Sequence, residues 1–173
     1  MPAASGWRWN MPSLPPPDAA CDDRLQLLVE CYYHLIGKEL IACKSQDIDG
    51  SRQKSHQTWR QELWDAPRGI VAHGTESDPI FFYGNKLALH LFDMDFMQFT
   101  CLPSRLSAEL VAQGLRAKLM AQVSKSGFVE GYSGMRIASS GRRFMITDAT
   151  IWNIRDKTGK LHGQAAVFMP EDK

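Results

Sequence analysis

The sequence predicts an α+β domain, an antiparallel sheet of about five strands flanked by helices and preceded by an amphipathic helix. Three observations predict it. Two short apolar runs, Gly69-Ile70-Val71-Ala72 and Pro79-Ile80-Phe81-Phe82-Tyr83, are separated by the polar turn His73-Gly74-Thr75-Glu76-Ser77-Asp78. Residues 85–126 then carry apolar side chains at helical spacing. After Gly127 the apolar period switches to two, in three long runs over residues 129–137, 142–155 and 161–169.

Each element has its own signal. Leu25, Leu28, Val29, Tyr32, Leu35 and Ile36 recur at helical spacing; Asp22 and Asp23 suit a helix start and Gly37 a helix end. That apolar stripe requires a cover, either the domain's own sheet or a second subunit. Residues 43–56 are polar and read as loop, and residues 58–64 as a short helix with Trp59 and Leu63 on one face, stopped by Pro67. Asn85 suits the N-cap of a helix running to Phe92, and residues 95–99 form a further helical turn. Ser107 reads as the N-cap of the longest helix. Glu109 lies in its first turn, Leu106 and Val111 form a hydrophobic staple, and Leu115, Leu119 and Val123 continue its apolar face. The turns at Ser139-Ser140-Gly141 and Asp156-Lys157-Thr158-Gly159 suit antiparallel hairpins. In the middle run, strict alternation puts Phe144, Ile146, Thr150, Trp152 and Ile154 on one face, with Met145, Thr147, Ala149, Ile151 and Asn153 on the other.

The bulk numbers bound the class. The 173 residues suffice for one domain plus a tail. The division predicted is a disordered Pro-rich tail over residues 1–20, a helical segment and loop over 21–66, and a core over 67–173. The tail holds Pro15-Pro16-Pro17 and, unusually, Trp7 and Trp9, read as packing loosely on the domain. A net charge of +1 implies no nucleic-acid field. The first residues lack the apolar core of a secretory signal and no run is long enough to span a membrane. The expected location is therefore cytoplasmic, with Cys21, Cys31, Cys43 and Cys101 as reduced thiols at no metal spacing.

Two short strands, a run of helices and three long antiparallel strands follow the element order of a PAS domain. The wording is closer to the MEKHLA domain, a PAS-like family. The matching segments are V-A-H-G-T-E-S-D-P-I-F-F-Y-G-N-K-L-A-L (71–89), L-P-S-R-L-S-A-E (102–109), G-Y-S-G-M-R-I-A-S-S-G-R-R-F (131–144) and A-T-I-W-N (149–153). The chain resembles that family over most of residues 22–170. The family occurs as small stand-alone bacterial proteins and as the C-terminal domain of plant class III homeodomain–leucine zipper regulators. This sequence contains no homeodomain or zipper, so it resembles the stand-alone kind, and a DNA-binding role would need another chain. The resemblance implies a sensor of light, oxygen or redox state.

Candidate site residues follow from the residue types. A carboxylate near an imidazole fixes its tautomer, so His73 with Asp78 is a candidate for orienting a ligand or relaying a proton. The plainer reading of His73, Asp78 and Asn85 is turn chemistry, in which Asp and Asn bond backbone amides. Arg105, Arg136, Arg142 and Arg143 offer rigid forks of donors for a carboxylate or phosphate. Arg142 and Arg143 lie beside a turn, whereas Arg136 shares a strand face with Tyr132 and Gly134, which makes Arg105 and Arg136 the stronger pair. With Trp152, the candidate pocket is His73, Asp78, Asn85, Arg105, Tyr132, Arg136 and Trp152, between sheet and helices.

Cys101 falls roughly where light-sensing flavin domains keep their adduct cysteine. Its neighbours Thr100, Leu102, Pro103, Ser104 and Arg105 do not match theirs, and no flavin-pairing Asn/Gln set is identifiable. It reads as a buried structural thiol first and a redox residue second. Haem is also poorly supported: the long helix has no His, and His90 on the small helix reads as structural. Gly131-Tyr132-Ser133-Gly134 is not a nucleophile elbow, and no spacing supports a site from Ser107 or Ser133 with His73 and Asp78. Three functions remain in order: a small-molecule-binding sensory module; a ligand-free interaction domain dimerising through the stripe from Leu25 to Ile36 or a sheet face; and a small enzyme acting on an anionic metabolite at Arg105 or Arg136.

Overall fold

The computed structural model describes residues 19–41, 56–108 and 113–170. The proline-rich stretch with Trp7 and Trp9, and most of the polar loop over residues 43–56, lie outside them. The elements are α1 (Ala19–Ile36), α2 (His56–Trp64), β1 (Gly69–His73), β2 (Phe81–Gly84), α3 (Lys86–Phe92), α4 (Phe96–Phe99), a 3-10 turn (Ser104–Ser107), α5 (Gln113–Ser126), β3 (Phe128–Ile137), β4 (Arg143–Arg155) and β5 (Leu161–Pro170). The strands form one sheet in the order β2-β1-β5-β4-β3, and every neighbouring pair is antiparallel. The short β2 and the long β3 thus flank a centre made of β1, β5 and β4.

Helices cover both faces of this sheet. On the outer face lies α1: Leu25, Leu28 and Tyr32, spaced three and four apart, are buried against Ile70, Ala72, Trp152, Ile154, Ala165 and Val167. Leu25, Leu28 and Tyr32 of the stripe are therefore covered by the protein's own sheet, with Val29, Leu35 and Ile36 partly buried against the same cluster. Three further bonds fasten the helix to β4. Trp152 donates its indole N–H to Leu28 O at 3.1 Å, and its ring meets Tyr32 edge-on at 4.9 Å. Cys31 Sγ donates to Arg155 O at 3.2 Å and accepts Arg155 N–H at 3.3 Å. The inner face packs on α3, α4 and α5, through Val71, Phe81, Leu89, Phe92, Phe99, Phe144, Ile146, Ala149 and Phe168.

Trp152 and Phe144 thus lie on opposite faces, contrary to strict alternation along the strand. The reason is a β-bulge. Thr147 pairs with Met169 but Thr150 pairs with Val167, so β4 has one residue more than β5 between those points. Asp148 takes up the extra residue with φ +48°, a left-handed conformation that Asp tolerates better than a β-branched residue. Beyond the bulge the phase inverts. Ile151 and Asn153 continue the face of Phe144 and Ile146, and Trp152 and Ile154 turn to α1.

Asn85 joins α2, β1 and α3 at one buried point. Its Oδ1 accepts from Ala88 N (3.1 Å), the N-cap bond of α3, and from Ile70 N (2.9 Å). Its Nδ2 donates to Arg68 O at 2.8 Å, with Ala66 O and Leu63 O at 3.5 and 3.4 Å. Its backbone N–H donates to Ile70 O at 2.9 Å. A fully buried amide with all its capacity met is a structural tie, so Asn85 leaves the list of ligand-binding candidates.

Ser107 does not cap the long helix. It ends the 3-10 turn, donating its hydroxyl to Ser104 O at 2.7 Å. Ala108 is extended and forms a bridge to Arg136 on β3. That pairing holds Ala108 out of helical geometry, and the described part of the long helix runs from Gln113. Leu106 is 51% exposed, and Val111, the other half of the expected staple, lies outside the described residues.

Two stability outcomes follow. Asn85→Ala should lower the unfolding free energy by about 3 kcal/mol, the sum of a lost cap and newly orphaned buried amides. A urea midpoint within error of the parent would refute the tie. Asp148→Val should cost about 1–2 kcal/mol and Asp148→Gly should not destabilise, because only the former opposes positive φ; equal losses for both in the same titration would refute the bulge.

Candidate functional site

The inner face can be read as rows across the sheet. Cross-strand pairing sets His73 opposite Gln164, and Gln164 opposite Asn153, so these three polar residues cross β1, β5 and β4 in one line. The next row is Val71, Ala166 and Ile151, followed by Ala149 beside Tyr132. Farther toward the β3–β4 hairpin, Gly134 faces Ile146 and Arg136 faces Phe144. Gln164, Ala166, Ile151 and Tyr132 are all half-buried although they lie on the helix-covered face. The centre of this face is therefore a shallow apolar floor with a polar row at one end and a Tyr–Arg pair at the far edge.

The polar row is held by side-chain amides. Asn153 is 3% exposed; its Nδ2 donates to Val123 O in α5 at 3.1 Å, and its backbone N–H donates to Gly127 O at 2.9 Å. Gln164 Nε2 donates to Asn153 Oδ1 at 3.0 Å. Gln164 Oε1 is buried and has no hydrogen-bond partner among the described residues. At the other end of the row, His73 Nδ1 lies 2.9 Å from Gly74 O, and its ring meets Phe81 edge-on. A carbonyl only accepts, so in the neutral ring the proton is on Nδ1. The pairing of β4 with β5 brings Asn153 and Gln164 opposite each other, an amide pair that the sequence analysis did not single out. The face that Asn153 takes follows the phase set by the bulge at Asp148, which has no signature in the residue pattern.

At the β3 edge, Arg136 stands 5.4 Å over the Tyr132 ring and donates from Nη1 to Met135 O (3.0 Å), with the Tyr132 hydroxyl at 3.5 Å. Gly134 between them permits this. A Cβ there would lie 2.4 Å from the Tyr132 hydroxyl oxygen. Tyr132 and Arg136 thus share the inner face, as alternation within β3 required.

The remaining candidates go elsewhere. Asp78 does not orient His73; both its oxygens accept from Arg105 Nε, at 3.0 and 3.1 Å, in an exposed ion pair that ties the β1–β2 turn to the 3-10 turn. Arg105 and Asp78 are therefore removed from the inner face, and the Ser107–His73–Asp78 assembly is not formed. Trp152 is fully buried on the outer face with its N–H bonded to α1, so it cannot share a pocket with Tyr132 and Arg136. Cys101 is exposed rather than buried, because it follows α4 in a turn on the surface. Cys31, not Cys101, is the thiol built into the packing, and its burial, ahead of its other neighbours, pushes its pKa up. Such a thiol is a poor nucleophile.

Arg142 proves structural. It donates to Leu91 O (2.8 Å) and to the Asp93 carboxylate (3.1 Å), while the Ser139 and Ser140 hydroxyls also bond Asp93. These contacts fasten the end of α3 to the β3–β4 hairpin. Among the described residues no group of three or more His, Cys, Asp or Glu is arranged to hold a metal. No described helix is long and apolar enough to cross a membrane.

The arrangement of a five-stranded antiparallel sheet with a helical inner face is shared with solved PAS domains. One from Colwellia psychrerythraea superposes with a TM-score of 0.59 at 13% identity, covering 68% of this chain and 98% of that one. A light-oxygen-voltage domain studied with a flavin analogue gives 0.55 at 14% identity, over 67% and 86%. The PAS domain of a two-component sensor histidine kinase gives 0.52 at 12% identity, over 63% and 89%. At such identities these likenesses show the fold, which is a PAS fold. No curated protein matches in sequence. The MEKHLA domain profile matches residues 22–170. The chain belongs to the MEKHLA domain family. Its match includes α1 and α2 as well as the sheet, so in this MEKHLA domain the outer-face helix is part of the family unit.

The Asp93 cluster has a pH consequence. Partial burial opposes its charge, but the Ser140 hydroxyl, Arg142 and nearby His90 outweigh it and hold the carboxyl below its ordinary value. A depressed folded-state pKa gives stability that is complete above the unfolded value, near about 4, and is lost as pH falls through the folded value. Asp93→Asn should therefore show a shallower loss of stability between neutral pH and about pH 3 than the parent. Identical acid limbs in urea titrations would refute the assignment.

Proposed function

We propose that this MEKHLA domain is a sensory module that binds a small molecule on the inner face of its sheet. One observation carries the reading: the middle of that face, at Ala166, Ile151 and Gln164, is half-buried where a filled core would be closed, and a buried amide acceptor lies beside it. The proposed contacts are Gln164, Asn153 and His73 at one end and Tyr132 and Arg136 at the other. Light, oxygen and redox state are the candidate stimuli, and the flavin analogue of the light-oxygen-voltage neighbour makes absorbing ligands the first to seek. The proposed location is the cytoplasm. A ligand-free interaction domain is the weaker reading, since α1 already covers the outer face.

Native mass spectrometry and an absorption spectrum on protein purified from its own host test the reading. The expected result is an adduct mass that denaturation removes, and that Ala166→Phe abolishes while leaving the circular dichroism unchanged. A bare sequence mass, together with no chemical-shift response of Gln164 or Ile151 to a fragment library, would overturn it.

A further inference from the structure

We propose that the ligand of the inner face is a neutral molecule that donates an N–H or O–H to Gln164 Oε1, and that neither anions nor ligands with only acceptors are taken there. This rests on the small-molecule reading above and adds the hydrogen-bond polarity of its site.

The polarity follows from a relay of amides with one fixed end. Val123 O is a backbone carbonyl of α5 and can only accept, so the Asn153 amide must present Nδ2 to it, as it does at 3.1 Å. Asn153 Oδ1 is thereby turned toward Gln164 and can only accept, so Gln164 must present Nε2, at 3.0 Å. Rotating either amide by half a turn would set two oxygens against each other. The relay therefore ends on Gln164 Oε1, a buried acceptor without a partner among the described residues. An acceptor left unmet in the interior weakens the fold, and a donor arriving there restores the missing bond. A ligand carbonyl or carboxylate would instead meet the negative end of a fixed dipole.

The rest of the row agrees. Its third member, His73, has Nδ1 2.9 Å from Gly74 O. Arg136 lies at the opposite edge of the inner face, with Nη1 on Met135 O and its guanidinium carbon 5.4 Å from the Tyr132 ring centre. An anionic metabolite is thus not matched to the amide end. The half-buried Ile151 and Ala166 adjoin Gln164 on the same face.

The test uses matched heterocycles that differ only in the donor: benzimidazolone against 1,3-dimethylbenzimidazolone, and phthalimide against N-methylphthalimide. Each is titrated into the full chain, with the Gln164 and Asn153 side-chain amides followed by NMR. The expected result is about tenfold tighter binding of the N–H member in each pair, since a buried acceptor discriminates strongly against a ligand that cannot pair with it. Gln164→Met, which keeps the length and removes the amide, should bring each ratio to within about twofold. Should that variant not fold, the ratios on the unaltered chain decide alone. Equal affinities within pairs would overturn the donor assignment and leave the small-molecule site standing. No response of these amides to any of the four compounds, together with a bare mass from the host, would overturn both.

Discussion

A single buried amide, that of Asn85, is the constraint on which the inner face depends. It caps α3, receives the N–H of Ile70 at the start of β1, and gives its own protons to the carbonyls at Arg68, Ala66 and Leu63 that lead out of α2. Segments whose backbone groups would otherwise be orphaned in the interior are satisfied by one side chain. With this tie in place, α3 leaves β2 at a fixed angle, Phe92 and Leu89 reach the sheet, and Arg142 can bond the carbonyl of Leu91 and the carboxylate of Asp93. The β3–β4 hairpin is thereby held against the end of the helix that Asn85 begins.

β4 has a comparable role across the sheet. Its adjacent residues Trp152 and Asn153 point to opposite faces, and each is bonded to a helix carbonyl, Leu28 O in α1 and Val123 O in α5. The two helices are therefore referenced to one strand through neighbouring peptides. Asp156, just past the end of the strand, is bonded first by His162 and then by the Thr158 hydroxyl and the amides of Thr158 and Lys160, which depress its pKa and close the β4–β5 turn. That turn sets the register in which Gln164 meets Asn153.

Much of this was legible in the residues. The helical spacing from Leu25 to Tyr32 identified the covering stripe of α1, Asn85 and Asp95 announced the starts of α3 and α4, and the alternation of Tyr132, Gly134 and Arg136 identified their common face. The site itself was less legible. Asp78, Arg105 and Trp152 are the residue types that ligand sites use, but their partners are remote in sequence: Arg105 pairs 27 residues away and Trp152 bonds a carbonyl 124 residues away. Asn153 and Gln164 carry no local signal, because each is an ordinary polar residue within an alternating strand.

The sequence by itself determined the element order, the antiparallel hairpins and the family wording, since these depend on local periodicity, caps and turn residues that act over a few positions. Tertiary structure alone decided which side of the sheet each residue serves. One residue in left-handed geometry at Asp148 inverts the phase of β4, sending Trp152 to α1 and Asn153 to the inner face. A bulge adds no residue type and changes no composition; it is stabilised by pairing with strands whose register is established elsewhere, so its effect is read only once the chain has folded around it.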